Sequence, residues 1–542
     1  MKLPARASGV LLHISSLPGP HGCGDLGAEA HHFVDWLVSA GQSLWQVLPI
    51  NPPGPGDSPY QSPSAFAGSP LMVALQPLAD AGWLDPAALV AHPQGGFDEH
   101  RVDWGRTVPW RLARLQQAAA GFFSRASDAD RAAFETWCAQ HSGWLADYAL
   151  FMALKDSHGG QPWWTWPAAQ RDRNASSLRA ARKRLAEAIR CHQFVQWCFD
   201  SQLTALKAHA NARGVALFGD LPIFVAHDSA DVWCRPDLYF LDEQGLCTVI
   251  AGVPPDDLGP DGQRWGNPLY RWDRMAAEGY AWWVARVRRA LTQADVFRID
   301  HFRGFAGYWE IPADEPTAKR GRWVPGPGQA LFDAIDAALG RGARPDEGSD
   351  AAHDAAHDAE HEKAAVPIVA EDLGLITPDV VALRDGCGFP GMKILQFAFG
   401  GDGTHEFLPH NYVPAVVVYT GTHDNDTARG WWDAAPERER AYAGSYLACG
   451  TTDVHWAMIR AASNSVAQMA VFPLQDVLGL GSEHRMNLPG SLGASNWSWR
   501  FSWDRVGPEP GRVLGLITAA SGRGPFDRLA LPAKAMASAD VS

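Results

Sequence analysis

The segment Ala294-Asp-Val-Phe-Arg-Ile-Asp300-His-Phe-Arg-Gly304 decides the fold of this 542-residue chain. A short aliphatic and aromatic run ends in an acidic residue, and a glycine-containing turn follows. Parallel strands covered on both faces have this appearance, because their apolar residues run on without the alternation of a half-exposed strand. The segment therefore predicts a buried parallel strand with Asp300 at its carboxyl end.

Seven other stretches have the same character, and each is followed by Gly, Pro or Asp and then by helical spacing. They are 9–15, 44–50, 214–221, 366–370, 392–399, 415–420 and 470–474. Repeated βα units with eight such strands predict an α/β protein built on a (β/α)8 TIM barrel.

Large insertions are expected, because a simple barrel takes roughly 250 residues. We assign 1–51 and 213–500 to the barrel and 52–212 to a mainly helical insertion. Helices are predicted there over 111–122, 128–140, 145–155 and 178–210. The insertion either buries a small core of its own or lies over the barrel mouth, and the sequence leaves both open.

Two further segments stand apart in composition. A low-complexity loop rich in His, Asp and Ala covers 341–365, and a C-terminal segment covers 501–542, with its end from 529 onward expected to be loosely ordered. His353, His357 and His361 would share one face of a helix and suit a divalent metal. A solvated insertion is the favoured interpretation, because no apolar stripe accompanies them.

Composition is typical of a soluble enzyme, with 46% hydrophobic and 20% charged residues and a formal net charge of -14. Net negative charge disfavours nucleic acid as a partner. No apolar run reaches the length that spans a bilayer, and no signal-like core is expected at the start of the chain. The eight cysteines form no CxxC pair, so we expect reduced thiols and a cytoplasmic location.

Three acidic residues follow strand-like runs: Asp300, Glu371 and Asp424. The carboxyl ends of barrel strands share one rim, and carboxylates gathered there are typical of enzymes that break glycosidic bonds. A lone Asp at a strand end is commonly a helix N-cap, but three such positions on separate strands favour catalysis.

The neighbours of these carboxylates suggest different tasks. Arg298 projects to the same side as Asp300 and is expected to lower the pKa of that carboxyl, as a nucleophile requires. An apolar strand precedes Glu371, and burial there would raise its pKa toward a value suited to proton donation. Asp424 stands among polar groups suited to sugar hydroxyls.

Two other features of the sequence allow more than one interpretation. Gly22-Cys-Gly-Asp-Leu-Gly27 matches a dinucleotide-binding fingerprint, but prolines separate it from the preceding strand, and a tight first βα turn is favoured. Among the 24 tryptophans, core packing is the ordinary interpretation. Trp265, in a loop-like segment between Gly262 and Pro268, is the one we assign to stacking on a sugar ring.

Long blocks of the chain resemble one family. Arg298-Ile-Asp-His-Phe-Arg-Gly304, Ala370-Glu-Asp-Leu-Gly374 and Thr420-Gly-Thr-His-Asp-Asn-Asp426 are similar to signatures of the amylomaltases, the 4-α-glucanotransferases of the α-amylase clan. The resemblance extends in order from about Gly9 to Arg500. Its other blocks are 17–27, 58–68, 219–225, 252–256, 263–268, 472–476, 485–490 and 496–500.

The resemblance implies a retaining transfer of a 1,4-α-D-glucan segment to the 4-OH of an acceptor, with maltooligosaccharides as partners and without metal or cofactor. Asp300 would be the nucleophile, Glu371 the general acid and base, and Asp424 the group that stabilises the transition state. Seven residues would bind substrate or support the site: Tyr60, Asp220, Gln263, Trp265, Arg298, His423 and Asn487.

Two alternatives stay open from the residues: a hydrolase of the same clan, which shares these carboxylates, and a non-catalytic glucan-binding protein. One departure from the family pattern bears on the first. The family commonly has an aromatic pair where Asp257 and Leu258 stand, so weaker acceptor stacking and more loss to water are expected.

Overall fold

The computed structural model describes residues 5–90, 95–255, 260–340, 366–491, 493 and 495–524. Three of the predictions above concern residues outside these ranges. They are the metal-binding face of the His-rich segment, the lid position at Asp257 and Leu258, and the loosely ordered end of the chain.

Within the described residues, twelve strands form two sheets. The strands are β1 (Ala7–Leu11), β2 (Leu44–Gln46), β3 (Ala216–Pro222), β4 (Val249–Val253), β5 (Gln263–Pro268), β6 (Val296–Asp300), β7 (Gly307–Pro312), β8 (Arg322–Pro325), β9 (Ile368–Ala370), β10 (Gly391–Ile394), β11 (Val416–Tyr419) and β12 (Met469–Pro473).

The larger sheet is the predicted barrel. Its eight strands lie in the order β10-β11-β12-β1-β2-β3-β6-β9, and each pairing is parallel. The two end strands approach each other where the Ala370 amide donates to the Pro390 carbonyl over 2.9 Å. Each of the eight predicted runs overlaps one of these strands, and the (β/α)8 fold is confirmed.

The strand register places polar residues beside one another at the carboxyl rim. In the β3–β6 pair, Asp220 lies opposite Arg298 and Pro222 lies opposite Asp300. In the β6–β9 pair, Ile299 lies opposite Ala370, so Glu371 follows one position beyond. These positions come from the parallel pairing of short buried strands rather than from any local loop.

Nineteen α-helices accompany the strands in the described part of the chain. They are Ala28–Ser39, Gln76–Asp80, Trp104–Arg125, Asp128–Gln140, Ser142–Ser157, Ala168–Arg171, Ala175–Arg184, Ala186–Ala212, Ala230–Cys234, Trp272–Ala277, Ala281–Gln293, Gln329–Ala338, Pro378–Cys387, Ala428–Ala434, Glu437–Leu447, Val454–Asn464, Leu474–Val477, Trp503–Val506 and Pro508–Ala520. No helix among the described residues is long and apolar enough to cross a membrane.

The helices predicted between β2 and β3 are present, with one correction. The single helix predicted over 178–210 is two helices, because the backbone leaves helical geometry at Leu185 (φ -104°, ψ 20°). No Gly or Pro stands at this break in the sequence. The helical spacing of the residues continues across it and therefore predicts one helix. The insertion does not bury a separate core, since Leu115, Phe122 and Phe194 belong to one apolar cluster with Val10 and Trp45 of the barrel.

The smaller sheet was not predicted. Its strands lie in the order β5-β4-β7-β8 and pair antiparallel, joining the connection after β3 to the connection after β6. Because both connections leave the carboxyl ends of barrel strands, this sheet stands beside the carboxylate rim. The sheet carries Gln263 and Trp265 on β5.

Candidate active site

The three predicted carboxylates lie at the same end of the barrel. Asp300 is the last residue of β6, Glu371 directly follows β9, and Asp424 lies in the loop between β11 and the helix Ala428–Ala434. The barrel brings them together from three strands, since carboxyl ends of parallel strands meet at one rim.

Asp300 is joined to a chain of polar groups. The guanidinium of Arg298 donates to Oδ1 of Asp300 over 2.6 Å and to Oδ2 of Asp220 over 2.7 Å. The Tyr60 hydroxyl donates to the same oxygen of Asp220 over 2.6 Å. Arg298 is 5% exposed, so this ion-pair network is shielded from solvent and is held in one geometry.

Glu371 is held by the backbone. The His301 amide donates to its Oε2 over 2.7 Å, and the Leu373 amide donates to its Oε1 over 2.8 Å. His301 adopts left-handed backbone geometry (φ 52°), which turns the chain directly after Asp300. The amide that follows the nucleophile candidate therefore binds the acid candidate, and this couples the positions of the two carboxyl groups.

Asp424 is held by side chains from a later segment. Asn487 Nδ2 donates to Oδ1 of Asp424 over 2.6 Å, and His423 Nε2 lies 3.2 Å from its Oδ2. Arg485 donates to the backbone carbonyl of Asp424 over 2.9 Å. The predicted partners His423 and Asn487 thus contact the carboxylate itself.

Aromatic rings connect these groups. The ring of Tyr60 stacks on the imidazole of His423, with centroids 5.3 Å apart and planes inclined by 12°. Trp497 packs against both, at 5.8 Å from Tyr60 and 5.9 Å from His423. Since Tyr60 also binds Asp220, it links the Asp300 network to the Asp424 network. Trp497 is one of the tryptophans in loop-like sequence for which core packing is the ordinary interpretation.

Trp265 contacts His301, and Gln263 contacts Trp265. The Trp265 indole meets the His301 imidazole edge to face at 4.8 Å, and its Nε1 donates to Oε1 of Gln263 over 3.1 Å. Gln263 is exposed and Trp265 is half-buried. His301 thus connects the two groups, because its ring contacts the indole and its backbone amide donates to Glu371.

The electrostatics correct one expectation. Burial raises the pKa of Asp300 to about 7, and the neighbouring carboxylates reinforce the rise while Arg298 opposes it. The lowered pKa expected from Arg298 is therefore wrong, because desolvation outweighs one cation. Burial likewise raises the pKa of Glu371, as its apolar strand predicted, although Arg298 and two backbone amides act against the shift. Burial lowers the pKa of His423, although the Asp424 carboxylate opposes the shift.

Sequence reasoning missed several residues that hold the site. Arg485, Gln396 and Asp476 all contact the loop that carries Asp424. In the sequence, the blocks 472–476 and 485–490 contribute only to the family resemblance. The signal available for Asp476 is an acidic residue three positions after the end of a buried strand.

A large groove lies away from the carboxylates. It has a volume of about 1480 Å³ and runs between the insertion helices, with Leu112, Met152 and Val195 among its lining residues and none of the predicted site residues. The candidate site is thus defined by its chemistry rather than by cavity size. In the described ranges no group of three His, Cys, Asp or Glu side chains is placed to hold a metal ion.

A parallel barrel with three acidic side chains gathered at its carboxyl rim defines an enzyme class that acts on glycosidic bonds. Comparison with known proteins agrees with this class. A family model described as 4-alpha-glucanotransferase matches residues 12–505. The 4-alpha-glucanotransferase of Thermus thermophilus is 49% identical over 535 residues, which cover 96% of this chain and 100% of that protein.

Other relatives agree. The 4-alpha-glucanotransferase of Synechocystis sp. is 45% identical over 96% of this chain and 99% of its own length. The solved amylomaltase from Streptococcus agalactiae, in complex with acarbose, superimposes with a TM-score of 0.88 at 36% identity, over 96% of this chain and all of that one. The chain belongs to the 4-alpha-glucanotransferase family, and the predicted enzyme class is confirmed.

Proposed function

We propose that this enzyme transfers a segment of a 1,4-α-D-glucan to the 4-OH of an acceptor glucan or glucose, by double displacement through a glycosyl-enzyme. The observation that carries the proposal is the pairing of two differently held carboxyl groups. Asp300 is bound by a cation, whereas Glu371 is bound by two neutral amides. Groups held so differently suit the separate tasks of nucleophile and proton donor.

In the first step, Asp300 attacks the anomeric carbon of the donor while Glu371 donates its proton to the departing glycosidic oxygen. The C1–O4 bond breaks, and a β-linked ester to Asp300 forms. Arg298 binds Oδ1 of Asp300, so the attack is assigned to Oδ2. Retention predicts that the two carboxyl groups stand about 5 to 5.5 Å apart.

The protonation states follow from the same contacts. Burial raises the pKa of Asp300 to about 7 and raises the pKa of Glu371 as well, while Arg298 opposes both shifts. Arg298 directly contacts Asp300 and favours its ionised form, so we assign the proton to Glu371. This is the arrangement that the first step requires.

We assign Asp424 to binding the donor sugar rather than to attacking or protonating the glycosidic linkage. Its carboxylate is oriented by Asn487 and His423, and it would bind ring hydroxyls while positive charge develops at the anomeric carbon. Hydrogen bonds to hydroxyls that strengthen in the transition state lower the barrier. Tyr60, stacked on His423, provides an apolar surface for the ring of the donor sugar, and Asp220 anchors the Tyr60 hydroxyl.

In the second step, Glu371 takes a proton from the acceptor 4-OH, which attacks the ester carbon and releases Asp300. Transfer exceeds hydrolysis only if an acceptor sugar is bound and oriented better than water. Trp265, beside His301 and Glu371, is the residue we assign to stack on that acceptor, with Gln263 next to it.

The substrate class rests on the relatives. The amylomaltase that shares this fold was solved with acarbose, and the family name specifies α-glucan transfer. We therefore infer that maltooligosaccharides and longer α-1,4-glucans are donors and acceptors. A cytoplasmic location is inferred from the eight cysteines, which are all free in the structure.

Maltotriose separates the alternatives. Incubation with the enzyme is expected to produce free glucose together with a ladder of longer maltooligosaccharides. Shortening alone would indicate a hydrolase. Unchanged maltotriose with retained glucan binding would indicate a non-catalytic binding protein. The Asp300→Asn variant, with its fold checked by circular dichroism, is the matched control and is expected to lose turnover.

A further inference from the structure

Asp424 stands on a loop that cannot position it unaided. The strand β11 ends at Tyr419, and the following helix begins at Ala428, so the carboxylate lies in the middle of an irregular segment. Within this loop the Thr422 hydroxyl and amide both donate to Oδ1 of Asn425. Those local bonds shape the turn, but the turn must also be fixed relative to the barrel.

One buried carboxylate holds both ends of this loop. Oδ2 of Asp476 accepts a hydrogen bond from the Thr420 hydroxyl over 2.5 Å, and Oδ1 accepts one from the Ala428 amide over 2.7 Å. Asp476 is 1% exposed and lies in the helix Leu474–Val477, directly after β12. The next barrel strand therefore supplies a bridge across the loop.

The buried carboxyl group of Asp476 is held by two hydrogen bonds. Both of its bonds go to neutral donors, and burial raises the pKa of its carboxyl to about 6. A buried carboxylate is expensive to desolvate and is retained where its two acceptor oxygens are needed. Here those two oxygens connect the first and last residues of the Asp424 loop.

Other contacts fix the middle of the loop. Gln396 donates to the carbonyl of Asp426 over 2.7 Å, Ser482 donates to the Asp426 carboxylate over 2.8 Å, and Arg485 donates to the Asp424 carbonyl. The Gln396 amide also donates to the Thr420 carbonyl over 3.3 Å, but of these four residues Asp476 is the one that joins Thr420 to Ala428 through a single side chain. Its loss would remove the link between the two ends of the loop, while the contacts to Asp424 and Asp426 remain.

We propose that Asp476 is a positioning residue for the transfer reaction: by tying Thr420 to Ala428 it sets where the Asp424 carboxylate meets the donor sugar. This inference rests on the role proposed above for Asp424. The residue does not touch substrate; it acts through the loop.

Two substitutions at this position give a graded test. Asp476→Ala leaves two buried donors unpaired, whereas in Asp476→Asn the amide oxygen accepts from Ala428 and the amide nitrogen donates to the Thr420 oxygen. With maltotriose, kcat of the alanine variant is expected to fall about 100-fold, the size of a misplacement near 1 Å, with KM changed by less than about 3-fold. The asparagine variant is expected to recover kcat to within about 10-fold of wild type, because it restores both bonds.

A double-mutant cycle separates positioning from general damage. In an Asp424→Asn background, adding Asp476→Ala is expected to lower kcat by less than about 3-fold, since the group it positions is already disabled. Asp295→Ala is the matched control. The side chain of Asp295 is 4% exposed, accepts from the Leu217 amide and from Asn211, and precedes β6 at the opposite end of the barrel. It is expected to lower Tm without reducing kcat.

Should Asp476→Ala fail to fold, Thr420→Val removes one of the two bonds without removing a charge, and a loss of about 10-fold in kcat is expected. Wild-type kcat in Asp476→Ala or Thr420→Val would overturn the proposal. A full 100-fold additional loss in the Asp424→Asn background would overturn it as well. Near-normal activity of Asp424→Asn alone would instead overturn the proposed function.

Discussion

The guanidinium of Arg298 lies 2.6 Å from Oδ1 of Asp300, and the two residues stand two positions apart on one strand. Residues at this spacing project to the same face of a strand, so the cation is fixed to the nucleophile by the backbone itself. The other arm of the guanidinium, on Asp220, fixes its orientation.

Replacing Arg298 by Met is expected to shift the acidic limb of the kcat/KM profile to higher pH. Loss of the cation raises the pKa of Asp300 further above its usual range, so a smaller fraction of the nucleophile is ionised at pH 7. The shift should be at least about one pH unit. Arg298→Lys keeps the charge and should shift the limb less, and an acidic limb at the wild-type position in the Met variant would argue against the assigned pairing.

Glu371→Gln is expected to lose about 1000-fold or more in turnover of maltotriose, because no proton reaches the departing oxygen. α-Maltotriosyl fluoride carries a leaving group that needs no proton. With this donor the variant should release about one equivalent of fluoride per enzyme quickly and then turn over slowly, because the base of the second step is absent. If fluoride release slowed as much as maltotriose turnover, Glu371 would not be the proton donor.

Tyr60 offers a way to separate stacking from hydrogen bonding. Tyr60→Phe keeps the ring on His423 and removes only the bond to Asp220, so a loss of about 10-fold in kcat/KM is expected. Tyr60→Ala removes the apolar surface as well and should cost about 100-fold or more. Equal effects of the two substitutions, measured with maltotriose, would show that the ring itself contributes nothing to donor binding.

Gly24 tests the interpretation of the glycine-rich turn after β1. A Cβ at this position would lie 2.1 Å from the Ile14 carbonyl oxygen and 2.7 Å from the Leu17 Cβ, so the backbone approach itself excludes a side chain. Gly24→Ala is expected to reduce the free energy of unfolding by about 2 kcal/mol or more in urea denaturation. A fully stable variant would contradict a structural role for the glycine.

Much of the barrel could be predicted because its strands are short, buried and separated by turn chemistry. Asp300, Glu371 and Asp424 could be placed on one rim by the same argument, since parallel strands share a direction. The small antiparallel sheet could not, because β4 pairs with β7 across more than fifty residues. Pairings this distant depend on the barrel that brings the two connections together.

The pKa of Asp300 is a second property that could not be predicted from the sequence. A neighbouring Arg is visible in the sequence, whereas the desolvation of the rim and the approach of Asp220, Glu371 and Asp424 arise only from the fold. The bridge from Asp476 to the ends of the Asp424 loop is hidden for the same reason. Its partners lie 48 and 56 residues away in the chain.

The most direct test of the account is to identify the residue that carries the sugar. Glu371→Gln enzyme, mixed with α-maltotriosyl fluoride and quenched in acid, is digested with trypsin and analysed by mass spectrometry. The peptide 299–303, Ile-Asp-His-Phe-Arg, is expected to gain one maltotriosyl group on Asp300. A fluoride burst without any adduct on this peptide, or with the adduct on a peptide containing Asp424, would contradict the assignment of Asp300 as nucleophile.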